Sequence, residues 1–231
     1  MAAPTTSQID PITSASQAIE TNTRAARVTL MPNDVGLLGS YRTVVKSGIM
    51  AAGLAGASPI VAFQWKPATN TTALALIRRL KFSMYTLGTG FAAGDVLFEW
   101  YVARSFTVQD TGGGAATLTT NNAKLRTSYA TTQAAIQVSA TATLTAGTRT
   151  KDANPFGVIQ SVATTSAFGS IVLPETEIWR PAPGEQPLIL APSEGIVIEA
   201  TVPATGTWTF YAGFDWDERL SFGAGSAVAV S

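Results

Sequence analysis

The carboxylates best placed to do chemistry stand close together near the C-terminus, in the sequence Asp215-Trp-Asp217-Glu218. In an extended strand, Asp215 and Asp217 point the same way, about 6.5 to 7 Å apart. That separation suits the carboxylate pair of an inverting glycosidase, and the same oxygens could bind Ca²⁺. The spacing is equally typical of the polar face of any strand, and the chain has no D-x-D-x-D-G calcium loop. We therefore predict no catalytic, cofactor-binding or metal-binding residues.

Two residue types that carry much enzyme chemistry are absent, since the 231 residues contain neither His nor Cys. Without His there is no imidazole base and no Ser-His-Asp triad. Without Cys there is no thiolate nucleophile, disulfide or thiolate zinc site. Gly112-Gly-Gly114 resembles a phosphate-binding loop only in its glycines, because no G-x-x-x-x-G-K-[ST] pattern follows it. The sequence favours a protein that is not an enzyme and has no cofactor.

The composition indicates a protein that associates with copies of itself or with a larger particle. Charged residues make up 13% of the chain, and fifteen basic residues balance fifteen acidic ones. Soluble domains usually have about 25% charged residues, and a net charge near zero promotes association. The alternative is a monomer whose surface is solvated by Thr, Ser, Asn and Gln.

Two classes of partner are disfavoured by the distribution of charge and hydropathy. The densest basic cluster, Arg78-Arg79 with Lys81, lies in an apolar strand-like stretch, and there is no basic run of the kind a nucleic-acid binder needs. No apolar run approaches the roughly 20 residues of a membrane-spanning helix. The N-terminus lacks the basic start and apolar core of a signal peptide. We expect no nucleic acid, no membrane, and assembly in a cytoplasm.

The hydropathy pattern predicts an all-β fold. From Arg27 to about residue 220, apolar and polar residues alternate in runs separated by Gly, Pro and Asn, which is typical of strands. Nine or ten strands favour one antiparallel β-sandwich, and we predict a jelly roll. The predicted organisation is an extended N-terminal arm (1–25), one sandwich domain (26–222) with a long polar loop (111–133), and a flexible tail (223–231).

Individual strands follow from the same pattern. Arg27–Met31 is the predicted first strand, residues 73–87 and 95–108 are predicted to pair as a long hairpin, and residues 187–217 to form a meander. Three strands should each bury one face, composed respectively of Leu74, Leu76, Leu80, Phe82 and Met84; of Val96, Phe98, Trp100, Val102, Phe106 and Val108; and of Trp208, Phe210, Ala212, Phe214 and Trp216.

Five residues are candidates for an interface or a ligand site. Trp179, beside Arg180, is the best candidate for an exposed aromatic that stacks on a sugar or a partner protein. Arg78 and Arg79 are predicted to mark a solvated or interface-facing edge. Tyr211 lies on the predicted polar face of the last strand.

Three stretches resemble virion structural proteins of tailed bacteriophages: NNAKLRTSYATT (121–132), TLTAGTRTKDANPFG (143–157) and PLILAPSEGIVIEATVPATGTW (187–208). The resemblance implies a structural, capsid-associated protein of the virion, such as a decoration (cement) or minor capsid protein. Such a protein would form a homo-oligomer and bind a capsid shell protein. The alternative is a carbohydrate-binding or receptor-binding module of tail or adhesin type, which needs an exposed aromatic such as Trp179 or Tyr211.

Overall fold

The computed structural model describes residues 8–9, 16–17, 37–69, 71–164, 171–182 and 185–220. Within these ranges the chain forms β-strands and no helix, so it contains no helix able to cross a membrane. The predicted strand Arg27–Met31 and the predicted tail lie outside the described residues. So does the predicted arm, apart from two short strands that pair with each other.

Fifteen strands occur in the described ranges. In chain order they are β1 Gln8–Ile9, β2 Ser16–Gln17, β3 Leu37–Lys46, β4 Met50–Ala51, β5 Leu54–Trp65, β6 Leu74–Leu87, β7 Gly94–Val108, β8 Gly114–Ala115, β9 Ala134–Val138, β10 Thr148–Lys151, β11 Gly157–Ala163, β12 Val172–Trp179, β13 Leu188–Leu190, β14 Glu194–Val202 and β15 Thr207–Arg219.

Strands β3 to β15 form two antiparallel sheets within the compact unit Leu37–Leu220. The seven-strand sheet has the order β10-β7-β14-β5-β9-β8, with β11 also paired to β7. The six-strand sheet has the order β12-β6-β15-β3, with β13 beside β6 and β4 beside β15. The prediction of an all-β antiparallel sandwich is confirmed.

Large aromatic side chains from both sheets fill the core. Phe82 and Phe98 meet across it with ring centroids 4.5 Å apart, and Phe63 stacks on Phe214 at 5.5 Å. Such rings bury 150–250 Å² each, at roughly 25 cal/mol per Å², so they are the main source of stability. The predicted buried face of β15 is confirmed, since all five of its residues belong to this core.

The predicted hairpin and meander are wrong, although the strands themselves exist. Strand β6 belongs to the six-strand sheet and β7 to the seven-strand sheet, so they face each other across the core. Likewise β14 belongs to the seven-strand sheet, although the strands before and after it in the chain, β13 and β15, both belong to the six-strand sheet. Alternation identifies which face of a strand is buried, but it does not identify the neighbouring strand.

A β-bulge in β6 overturns part of its predicted face. Asp215 is paired with Arg79 and Trp216 with Ile77, so Arg78 is an extra residue in this strand. An extra residue reverses which side chains point inward. Before the bulge Ala75 and Ile77 point into the core between the sheets, while Leu80, Phe82 and Met84 point inward as predicted. Leu76 is buried as predicted, but it lies outside this core cluster, and Leu74 is only partly buried.

A similar change of face occurs near the end of β7. Ser105 has a left-handed backbone (φ 49°), and Phe106 packs on the opposite face of the sheet, in a small cluster with Ala62, Ala103 and Val197. Val108, which was predicted to be buried, is exposed. Val96 to Val102 follow the prediction.

The predicted loop 111–133 contacts both sheets, since Gly114–Ala115 form β8 of the seven-strand sheet and residues near 123–125 lie along the edge of the six-strand sheet. The backbone N–H of Arg42 donates to Ala123 O at 2.7 Å, and that of Leu125 donates to Ser40 O at 2.9 Å. The side chain of Leu118 is buried. The loop thus covers the free edge of β3.

Candidate functional site

The outer face of the six-strand sheet carries most of the candidate residues. In β15 the side chains of Tyr211, Asp215 and Asp217 alternate with the core residues and so point away from the core. Arg42 of β3 lies opposite Asp215 on one side, and Arg79 of β6 lies opposite it on the other. The register of three strands therefore places one carboxylate between two guanidinium groups.

Asp215 is held tightly by its two neighbours. Arg42 donates to it through two nitrogen atoms, at 2.9 and 3.0 Å, and Nη2 of Arg79 lies 2.7 Å from Oδ2. The hydrogen bonds to Asp215 raise the pKa of Arg42. Because its oxygens are occupied by two cations, this carboxylate serves as an anchor for arginine side chains.

Asp217 and Glu218 have different environments. Asp217 accepts a hydrogen bond from Ser40 Oγ at 2.7 Å, with Arg78 and Arg219 at 3.5 and 3.7 Å. Glu218 is buried on the core side, where it accepts hydrogen bonds from Thr132 Oγ1 and from Trp216 Nε1. The three neighbouring carboxylates of the sequence are thus divided between two faces and do not converge on one site.

Four arginines surround an open pocket of about 510 Å³ beside Asp215. The pocket is lined by Arg42, Arg78, Arg79, Arg180, Pro181, Ala182, Glu185, Pro187 and Asp215. Three sequence candidates, Arg78, Arg79 and Arg180, are therefore brought together. Arg42 was missed, because only the pairing of β3 with β15 places it there.

Trp179 does not provide the expected exposed aromatic surface. Its side chain is half-buried and packs against the core, with its ring edge-to-face on Phe156 at 6.2 Å between centroids. It lies on β12 opposite Leu80 of β6. The structure gives Trp179 a packing role at the edge of the sandwich.

Tyr211 lies on the same outer face as the arginine pocket but not in it. Its ring stacks on Tyr85, with centroids 6.5 Å apart, and Lys46 Nζ lies 5.4 Å from its centroid. Four residues of strand separate Tyr211 from Asp215, which is about 13 Å. Tyr85 has no unusual sequence context and was not predicted as a candidate.

A second pair of carboxylates was also missed. Glu99 and Glu199 are directly opposite each other on β7 and β14. Lys151 Nζ lies 2.5 Å from Glu199 and 4.1 Å from the ring centroid of Tyr101. Burial, followed by the nearby Glu99, raises the pKa of Tyr101 to about 12. The lysine forms an ion pair with Glu199. The described part of the chain holds no group of three or more acidic residues placed to bind a metal.

The open edge of the seven-strand sheet is the second notable surface. Strand β11 pairs only with β7 among the described residues, and its outer-face side chains Val158 and Val162 are 51% and 60% exposed. The seven residues of β11 include no charged residue and no proline. The strand β12, at an edge of the six-strand sheet, carries Pro174, Glu175 and Glu177. Charges and proline protect edges from pairing with other chains, and β11 has neither.

No protein-family model matches this chain, and no curated protein matches it either. The inference of function therefore depends on the geometry of these two surfaces and on the sequence.

Proposed function

We propose that this protein is a non-enzymatic structural component of a virus particle, a decoration (cement) or minor capsid protein that stabilises the shell as an oligomer. The observation that carries the proposal is the uncharged edge of β11, a strand that pairs only with β7 within the described ranges. A strand of this kind is a ready template for pairing with another chain. Zero net charge and sparse surface charge favour such permanent contacts.

The sequence of β11 suits pairing with a second copy of itself. In an antiparallel pair centred on Gln160, Val158 of one copy lies opposite Val162 of the other. The two-fold axis repeats this contact, so the pair contains it twice. Cross-strand pairs of β-branched residues stabilise such sheets. The result is a sheet that continues from one copy into the next, with the exposed valines of the two copies in contact.

The order of the strands supports the predicted jelly roll. One sheet contains β12-β6-β15-β3 and the other contains β11-β7-β14-β5 as neighbours, so each combines strands from both halves of the chain. From β5 to β7, and again from β12 to β15, the long strands alternate between the sheets. Two interleaved Greek keys give this arrangement, which occurs in viral capsid proteins. The resemblance of residues 121–132, 143–157 and 187–208 to phage structural proteins agrees with it.

Two measurements test the proposal. Light scattering across a hundredfold dilution should show an oligomer that persists, whereas a monomer at every concentration contradicts it. Virus particles purified from the host that carries this gene should contain the chain in stoichiometric amounts by mass spectrometry. Its absence from the particles rules out a virion role even if the oligomer is found.

Carbohydrate binding is a second candidate function, favoured by the stacked pair Tyr85 and Tyr211 on the outer face of the six-strand sheet. Tyrosine rings with a nearby cation can form a platform for a sugar ring. A glycan array should then give hits that are lost in Tyr211→Ala. An array without hits removes this candidate.

A further inference from the structure

The arginine pocket has a feature that a regular strand could not produce. Successive residues of a strand point to opposite faces, yet Arg78 pairs with Asp217 and Arg79 with Asp215 on the same outer face. The bulge at Arg78 makes this possible, because the extra residue lets two consecutive side chains reach one side. Bulges often re-aim side chains at functional sites.

The pocket has an excess of positive charge. Its four guanidinium groups meet two lining carboxylates, Asp215 and Glu185, and two at its rim, Asp217 beside Arg78 and Glu177 beside Arg180. With Arg219, which shares Asp217, five arginines face four carboxylates, which leaves a surplus of one positive charge. Glu185 also accepts a hydrogen bond from the backbone N–H of Ala182 at 2.9 Å. Asp217 lies next to the pocket, but it is shared between Arg78 and Arg219.

Two of the four arginines have donors to spare. The nearest carboxylate oxygen lies 3.5 Å from Arg78, on Asp217, and 4.0 Å from Arg180, on Glu177. The side chains of Arg78 and Arg180 are 54% and 66% exposed. Arg42 and Arg79 both form ion pairs with Asp215, and these three side chains form the floor of the pocket. Pro181 and Pro187 contribute a wall without backbone donors. Spare guanidinium donors above a fixed cationic floor can bind an oxyanion through paired hydrogen bonds.

We propose that this pocket binds a doubly charged oxyanion, a sulfate or phosphate group, through Arg78 and Arg180 above the Arg42–Asp215–Arg79 floor. A dianion is attracted more strongly by a cationic pocket than a singly charged carboxylate is. The volume of about 510 Å³ lies within the usual range of small-ligand sites, about 300–1,000 Å³. The group can be a free anion or an ester on a sugar, since both present the same oxygens.

The test is a titration of the full chain, followed by the NMR signals of the arginine Nε–H groups at constant ionic strength. Inorganic sulfate should bind saturably and at least tenfold more tightly than acetate. Arg78→Gln combined with Arg180→Gln should weaken sulfate binding at least tenfold. Arg126→Gln is the matched control, because it removes an exposed charge on the loop 111–133, and it should leave the affinity unchanged within twofold.

The source of the anion is distinguished by a second titration with a sulfated disaccharide and its unsulfated parent. Tighter binding of the sulfated sugar than of inorganic sulfate supports an ester ligand, and equal binding supports a free anion. The proposal is overturned by an absence of saturation, by equal affinity for acetate, or by wild-type affinity in the double variant. None of these results depends on the oligomeric state of the protein.

Discussion

Arg42 binds Asp215 through two hydrogen bonds of 2.9 and 3.0 Å, although 173 residues separate them in the sequence. The pair joins the first long strand of the sandwich to the last one, and Arg79 binds the same carboxylate from the other side. This contact therefore connects three strands and forms the floor of the arginine pocket.

Removing the charge of Asp215 should change stability and anion binding in opposite directions. Asp215→Asn leaves Arg42 and Arg79 without their shared anion, and we expect a loss of about 1 kcal/mol in the free energy of unfolding by urea, because Arg42 is largely exposed and its pair is screened. Sulfate should bind severalfold more tightly, since the surplus of positive charge increases. Weaker sulfate binding in a folded variant contradicts the assignment of the pocket.

The buried pair of Asp110 and Arg149 should be far more important for stability than exposed pairs. Asp110 is fully buried and accepts hydrogen bonds from Arg149 and from Gly147 N–H, the latter at 2.9 Å. Asp110→Ala leaves a buried guanidinium uncompensated, which costs about 3 to 5 kcal/mol. The control is Asp152→Ala, which removes an exposed partner of Arg104 and should cost less than about 1 kcal/mol. Equal losses in the free energy of unfolding by urea for the two variants contradict this prediction.

Glu218 should make the stability of the protein depend on pH. Burial raises its pKa in the folded state above the usual value, against the opposing effect of its hydrogen bonds. The folded state therefore keeps this proton at a pH where the unfolded state has lost it. The resulting stabilisation is complete below the unfolded pKa of about 4.3 and is lost as the pH rises through the folded value.

The matched variant for this effect is Glu218→Gln, which removes the titration and keeps the shape. Urea unfolding measured from pH 7 down to pH 4 should show wild type gaining stability relative to the variant as the pH falls. Parallel curves for the two proteins show that the pKa of Glu218 is not raised.

The edge of β11 gives a prediction about assembly. Val158→Lys combined with Val162→Lys places like charges opposite each other across the proposed two-fold pair, so light scattering should show dissociation to monomers. Val172→Lys on β12 is the control, since Val172 is 68% exposed and should leave the oligomer intact. Folding should be little affected in either case, within about 0.5 kcal/mol per substitution. If the oligomer dissociates only in the control variant Val172→Lys, the interface lies at β12 and the prediction is contradicted.

The sequence allowed the buried face of β15 to be predicted in full, because an apolar residue stands at every second position from Trp208 to Trp216. It could not show that β6 and β7 lie in different sheets, because pairing depends on partners such as β14 and β15 that are distant in the chain. The bulge at Arg78 and the left-handed Ser105 reversed faces without a glycine or proline to indicate the change.

The same limit applies to the candidate sites. Arg78, Arg79 and Arg180 could be named from composition and context, but their convergence with Arg42 depends on the pairing of β3, β15 and β6. Trp179 was expected to be exposed because it is flanked by Arg180 and Pro181, yet the edge of the sandwich covers much of its ring.

The most direct test of the proposed assembly uses the absence of cysteine from the chain. In Gln160→Cys the two new thiols meet at the two-fold axis, where antiparallel Cα atoms lie about 4.5 to 5.5 Å apart, a distance that permits a disulfide. Mild oxidation should convert this variant almost completely to a covalent dimer on a non-reducing gel, while Thr119→Cys, exposed on the loop 111–133, stays monomeric. A Gln160→Cys protein that crosslinks no faster than Thr119→Cys contradicts pairing through β11.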